Sequence, residues 1–133
     1  MCSHLCISMS LPSPSPAHLL TGIYGEQAAV LYLQHLGYRV RATNVRLGKD
    51  EIDIVAFDPK DKVMVFAEVR TRKHMGGAFM PEKLAGPRKR YLLFRSARRW
   101  VARHDYRGGY RVDLLCVKDG KIVAHFRELT PVS

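Results

Sequence analysis

Apolar positions along the chain switch between helical and strand-like spacing, and the switches mark the elements. From Tyr24 to Leu36, Ala28, Ala29, Leu31, Tyr32 and Leu36 gather on one helical face, and Gly37 supplies a stop. At about 100° per residue, Glu26 falls roughly 20° around from Leu33, which puts a carboxylate at the edge of the buried stripe. Tyr38 to Val45 reads as a strand, with Tyr38, Val40 and Ala42 on one side and Arg39 and Arg41 on the other. Glu51 to Phe57 and Lys62 to Arg70 read as two more strands, joined by the turn signal Asp58-Pro-Lys-Asp61. Residues 83 to 104 carry the longest helical pattern. Leu93, Phe94, Ala97, Trp100 and Val101 form its apolar stripe, and Arg88, Arg95, Arg99 and Arg103 form a basic stripe roughly opposite. Tyr110 to Val117 and Lys121 to Phe126 are strand-like around Asp119-Gly120, a hairpin turn. The order α-β-β-β-α-β-β predicts an α/β fold with a mixed sheet flanked by helices.

Residues 1–20 include Leu11-Pro-Ser-Pro-Ser-Pro16 and read as a flexible leader; residues 21–133 contain no second linker and no repeat, so they read as one domain. A chain of 133 residues is long enough to build its own core. The longest stretch free of Asp, Glu, Lys and Arg, Met1 to Gly25, contains three prolines and does not read as a membrane span. Cys2, Cys6 and Cys116 form neither a disulfide framework nor a zinc spacing, and Cys116, inside an apolar run, reads as a buried thiol. No basic region precedes the N-terminal apolar residues, so a secretory signal is not expected and the cytoplasm is the expected compartment.

Charge changes the picture. Lys and Arg number 22 against 12 Asp and Glu, a formal net charge of +10, and 14 of the 22 bases are arginine. An arginine fork matches phosphate oxygens, which puts nucleic acid ahead of an anionic membrane as partner; the alternative is that the charge serves only solubility. Residues 83 to 111 hold ten bases and one acid, Asp105, so pairing within the helix does not neutralise the stripe. Such a surface binds phosphates without reading sequence, or else is a solvated face. Tyr91 and Tyr106 are candidates for stacking on an unpaired base, and equally for ordinary surface or core positions. The six histidines show no ligand pair at i, i+4; His104 reads as packed or capping, and His74 as a loop residue within reach of a phosphate.

A period of two puts Glu51, Asp53, Val55 and Phe57 on one strand face, and Met64, Phe66, Glu68 and Arg70 on one face of the next. If the strands fold back symmetrically, Phe57 pairs near Met64 and Asp53 lies opposite Glu68. Two facing carboxylates among Ile, Val and Phe are costly unless a cation lies between them, and oxygen ligands favour Mg²⁺ or Mn²⁺. With Glu26 and Glu51, up to four carboxylates can converge. The competing reading is a structural salt-bridge cluster built on Arg70 and nearby bases.

Gly22-x-x-Gly25-Glu26, the stretch from Asn44 through Glu51-Ile-Asp-Ile54, and Phe66-Ala-Glu-Val-Arg-Thr-Arg72 together resemble the YraN family of small bacterial proteins. So do Lys89, Ala97-Arg-Arg-Trp100 and Arg111-Val-Asp-Leu114, and the resemblance spans Gly22 to Glu128. That family is similar in fold to Holliday-junction resolvases and the PD-(D/E)xK nuclease superfamily. The resemblance implies a restriction-endonuclease-like three-layer fold and a Mg²⁺-dependent phosphodiesterase site on structured or branched DNA. Asp53 and Glu68 match its acidic metal ligands, Glu26 its helix carboxylate and Lys89 a phosphate-facing base. It also implies a homodimer on a two-fold junction. Two departures stand out. Arg70 occupies the position where the superfamily usually has lysine, and arginine does not lose a proton to activate water. Asp50 precedes Glu51 where the family more often has glycine, and either adds a carboxylate or reshapes the turn after Gly48.

Overall fold

The computed structural model describes residues 17–72 and 86–131. Two helices and five strands follow the order expected: α1 (Ala17–His35), β1 (Arg39–Leu47), β2 (Asp50–Asp58), β3 (Val63–Arg72), α2 (Pro87–Arg103), β4 (Gly109–Lys118) and β5 (Lys121–Phe126). Helix α1 starts seven residues before the expected Tyr24 and takes in residues 17–20 of the expected leader. Helix α2 starts at Pro87, a proline at the first turn where its missing N–H costs nothing. Residues 1–16 of the leader, and residues 73–85 with His74 and the expected start of the second helix, lie outside the described residues.

The sheet runs β1-β2-β3-β4-β5; β3 and β4 are parallel and the other neighbours antiparallel. The central strands are apolar on both faces, and each face packs on one helix. Under α1 lie Ile54, Ala56, Val65, Ala67 and Leu115, against Ala29, Val30 and Leu33. Under α2 lie Val55, Met64, Phe66, Val112, Leu114 and the buried Cys116, against Leu93 and Ala97. This is the three-layer α/β architecture that the pattern and the resemblance imply.

Helix α1 ends in a Schellman motif. Gly37 adopts φ +95, Tyr38 N–H donates to Leu33 O at 2.9 Å, and Gly37 N–H to Gln34 O at 2.9 Å. At the β4–β5 hairpin, Asp119 and Gly120 have φ of 51 and 74, the positive pair that a type I′ turn requires. No helix among the described residues is long and apolar enough to cross a membrane.

Two interruptions of the two-residue period position the site. The β1–β2 register shifts between Val40 and Ala42, so Val40 packs under α1 and Ala42 under α2 rather than on one side. The second lies between the pairs Thr43↔Ile54 and Val45↔Ile52, where Asn44 takes φ +52 opposite Asp53. Beyond it Ile52, not Glu51, joins the core under α2, while Ile54 packs under α1. The expected shared face of Glu51, Asp53 and Val55 is therefore broken at Asp53, and Glu51 is exposed.

Candidate metal and nucleic-acid site

The β2–β3 ladder pairs Phe57 with Met64, as the turn predicts, and stops at Ile54↔Ala67. β1 stays paired to β2 as far as Leu47↔Asp50, and β3 to β4 as far as Arg72↔Lys118. The sheet thus divides into two arms just past Ile54 and Ala67. Asp53 and Glu68 are the first residues beyond the split, one step past the ladder rather than paired within it. The backbone N–H of Val69, free of a strand partner on this side, donates to Asp53 Oδ2 at 2.8 Å.

Helix α1 crosses the same end of the sheet. A Cβ at Gly25 would collide with the Thr71 side chain, so this close approach requires glycine and places Glu26 beside the split. Burial pushes the Glu26 carboxyl up, the Asn44 amide opposes that, and Glu51 and Glu68 add repulsion. Burial also pushes the Asp53 carboxyl up, to about 7, with repulsion from Glu68, Glu26 and Glu51 added and the Val69 N–H opposing. Glu68 has two cations beside it: Lys89 Nζ from α2 at 3.3 Å and Arg70 Nε at 3.5 Å. Arg70 Nε makes no hydrogen bond although it is buried. The structure therefore brings together Glu26, Asp53, Glu68, Arg70 and Lys89, and it contains elements of both the metal-site and the ion-pair readings.

Among the described residues, no group of three or more His, Cys, Asp or Glu is arranged to hold a metal ion. A three-carboxylate cage including Glu26 is not formed. The pair Asp53 and Glu68 still fits a hard cation, because Mg²⁺ takes one or two carboxylates and keeps several waters. The Asp53 carboxyl is raised first by its burial and then by repulsion from Glu68, and a cation between the two carboxylates would relieve that repulsion.

The basic stripe divides into two kinds of residue. Arg88 and Arg103 are exposed on α2. Arg95 instead grips Asp50 with both fork arms, at 3.0 and 2.9 Å, and Arg99 Nη1 donates to the same carboxylate at 3.0 Å. The absence of an acid within the helix thus does not leave the whole stripe unneutralised: the acid comes from β2. Asp50 is held well below the usual carboxylate range by the Arg95 hydrogen bonds. Arg99 also reaches Leu47 O at 3.5 Å, so Asp50 ties the tip of the β1–β2 hairpin to α2. The Arg95→Ala/Arg99→Ala double variant should lower the melting temperature by a few degrees by leaving Asp50 without a partner. Adding Asp50→Ala should recover most of the loss, and a thermal-melt double-mutant cycle measures it.

A second polar cluster was not foreseen. Arg111, 7% exposed, donates to Asp113 Oδ1 at 3.0 Å, Asp58 Oδ2 at 3.1 Å, Asp61 Oδ2 at 3.2 Å and the Tyr38 hydroxyl. His125 Nε2 lies 2.8 Å from Asp113 Oδ2, and its Nδ1 lies 2.9 Å from the Tyr32 hydroxyl. Burial opposes the Asp113 charge, but His125, the Glu128 N–H and Arg111 together hold it below the usual range. The network ties α1, β2, β4 and β5 together. Its available signal was Arg111 and Asp113 two apart in an apolar strand, hence on one face. Two other expectations have plain structural outcomes. His104 caps α2, with Nδ1 3.0 Å from Trp100 O and its ring stacked on Trp100. Tyr106 donates to Gly109 O at 2.7 Å and packs edge-on to Trp100.

Comparison with known proteins identifies the family. The model of the uncharacterised protein family UPF0102 matches residues 25–117, from Gly25 at the α1 crossing to the end of β4. A UPF0102 protein of Cytophaga hutchinsonii is 31% identical over 113 residues, covering 85% of this chain and 97% of that protein. One from Oleidesulfovibrio alaskensis is 42% identical over 103 residues, covering 77% of this chain and 50% of that protein. One from Dehalococcoides mccartyi is 40% identical over 84 residues, covering 63% of this chain and 67% of that protein. The chain thus spans half the length of the Oleidesulfovibrio relative and nearly all of the Cytophaga one. The chain belongs to the UPF0102 family, the YraN family that its motifs resemble.

Proposed function

We propose that this protein is a divalent-metal-dependent phosphodiesterase acting on structured or branched DNA. The observation that carries the reading is the pair Asp53 and Glu68 just beyond the split between β2 and β3, with Lys89 and Arg70 against Glu68. A Mg²⁺ or Mn²⁺ ion held by these two carboxylates would supply charge neutralisation and a more acidic attacking water. Arg70 and Lys89 orient the scissile phosphate and balance the charge that builds on it. Glu26, with its raised pKa, faces the same space and orients water. Arg88 and Arg103 hold flanking phosphates, while Arg95 and Arg99 set the hairpin against α2 and present their remaining N–H groups.

Arg70 favours a second reading, a nucleic-acid-binding module of the same fold without efficient hydrolysis, because arginine keeps its proton at every working pH. Single-turnover cleavage of single-stranded, duplex, flap and four-way-junction DNA in Mg²⁺ or Mn²⁺ separates the two. An active enzyme should tolerate Arg70→Lys within about tenfold and lose on the order of 10²-fold with Arg70→Ala. Binding without cleavage by either the wild type or the lysine variant would leave the binding module standing and remove the enzyme.

A further inference from the structure

Helix α2 carries a second stripe that neither the core nor the carboxylate pair uses. Arg88, Tyr91, Arg95 and Arg98, at steps of three, four and three, share its outer side. Tyr91 is 46% exposed. The other aromatic residues of α2, Phe94 and Trp100, pack on the core. Tyr106, the other stacking candidate, is committed to Gly109 and Trp100. The Arg95 guanidinium lies 5.9 Å from the Tyr91 ring centroid and is pinned there by its two bonds to Asp50. The same clamp brings the β1–β2 turn alongside: a Cβ at Gly48 would lie 3.8 Å from Arg99 Nη1, and the next residue is the exposed Lys49. One acid, Asp50, is thus surrounded by bases, and a half-exposed aromatic ring lies beside them.

An exposed aromatic ring among bases offers a π-face that contacts to a duplex backbone alone do not use. A ring with arginines one helical turn to either side in the sequence suits a base that has left its stack, because every base has a π-face and the adjoining phosphates can meet the arginines. We propose that this stripe, extended by Lys49, binds the single-stranded part of a nucleic acid, with an unpaired base stacked on Tyr91 and the flanking phosphates on Arg88, Arg98 and Lys49. The inference rests on the functional reading above and adds a substrate feature to it: an unpaired nucleotide, as at a flap, a gap or an open junction. Lys89, two residues before Tyr91 and about 200° around the helix from it, touches Glu68, so the strand would pass around α2 between the stacked base and the scissile phosphate.

The test is binding without turnover, by fluorescence anisotropy of the full chain in EDTA. The probes are a blunt duplex of about 16 base pairs, the same duplex with a single-stranded tail of about six nucleotides, and heparin as a polyanion with no bases. Wild type should prefer the tailed duplex to the blunt one. Tyr91→Ala should abolish that preference, losing roughly tenfold or more on the tailed probe, and Tyr91→Phe should keep it. Lys49→Ala with Arg98→Ala should weaken both DNA probes and lower the slope of log affinity against log salt by about 2. Equal wild-type affinity for the tailed and blunt probes overturns the stacking surface while leaving the phosphodiesterase reading intact. A Tyr91→Ala variant that keeps the preference, or heparin binding as tight as the tailed probe, has the same effect. Failure of the wild type to bind any DNA overturns both.

Discussion

Arg111→Ala should cost about 3–5 kcal/mol of folding stability, the expected cost of removing one partner from a buried ion pair. The substitution leaves Asp113, with no exposure, and Asp58, with 2%, without their shared guanidinium. Domains of this size are stable by roughly 5–15 kcal/mol, so the variant loses a large part of its margin. Arg111→Lys should recover only part of it, because one ammonium cannot reach Asp58, Asp61, Asp113 and Tyr38 from a single point. The pH dependence identifies the cause. Burial opposes charge on Asp58, but the Lys60 N–H and Arg111 hold its pKa down, and Asp113 is lowered too. For a depressed carboxyl, stability is present above the unfolded pKa, near 4, and is lost as pH falls through the folded value. The deficit of Arg111→Ala should therefore be full at pH 7 and shrink below about pH 4, as denaturant titrations at both pH values would show.

Asp53→Asn should have the opposite sign for stability and a severe effect on activity. The folded pKa of Asp53 is raised to about 7, above its unfolded value. Between about pH 4 and 7 the native chain holds a proton that the unfolded chain has lost, so stability falls as pH rises through that window and levels off above it. The asparagine variant, free of this penalty, should match wild type near pH 4 and melt roughly 5 °C higher at pH 8. Mg²⁺ should stabilise wild type increasingly from pH 5 to pH 8, as the carboxyl ionises, and leave the variant unaffected. Cleavage should fall by about 10²-fold or more with DNA binding kept, because removing a negative charge beside phosphates does not weaken their attraction to the basic surface. A variant that cleaves at the wild-type rate would remove Asp53 from the site.

Most of the architecture was legible because strong local signals carry it. The Asp58-Pro-Lys-Asp61 turn gave the Phe57–Met64 register, and Asp119-Gly120 gave the last hairpin. The shift at Arg41 and the bend at Asn44 were not legible. Each costs one residue of phase in a strand whose composition does not change, and together they moved Ala42, Ile52 and Glu51 to faces that strict alternation denies them. The start of α1 at Ala17 was not legible, because no acidic residue in its first turn marks the onset. Asp58 was read as a turn residue and is one, since Oδ1 accepts the Lys60 N–H at 2.9 Å; its other oxygen faces Arg111, 53 residues away, where no local pattern reaches. At the candidate site the proximity of Asp53 and Glu68 was readable from the hairpin. The separation of the arms was not, because it depends on a ladder stopping rather than on a residue type.

The order of the strands bears on how the chain assembles. β1, β2 and β3 are consecutive and antiparallel, so Asp53 and Glu68 meet through short loops with little closure entropy. The Arg111 network needs contacts 53 residues apart to Asp58 and, through His125, 93 apart to Tyr32, and β4 joins β3 only after α2 has crossed over. By sequence separation, the Asp53–Glu68 hairpin should therefore form in the early, local part of folding, and the network in the late part that closes the molecule. On that order, substitutions in the β2–β3 hairpin should act mainly on the rate at which the chain folds, and substitutions at Arg111, Asp113 or His125 mainly on how long it stays folded.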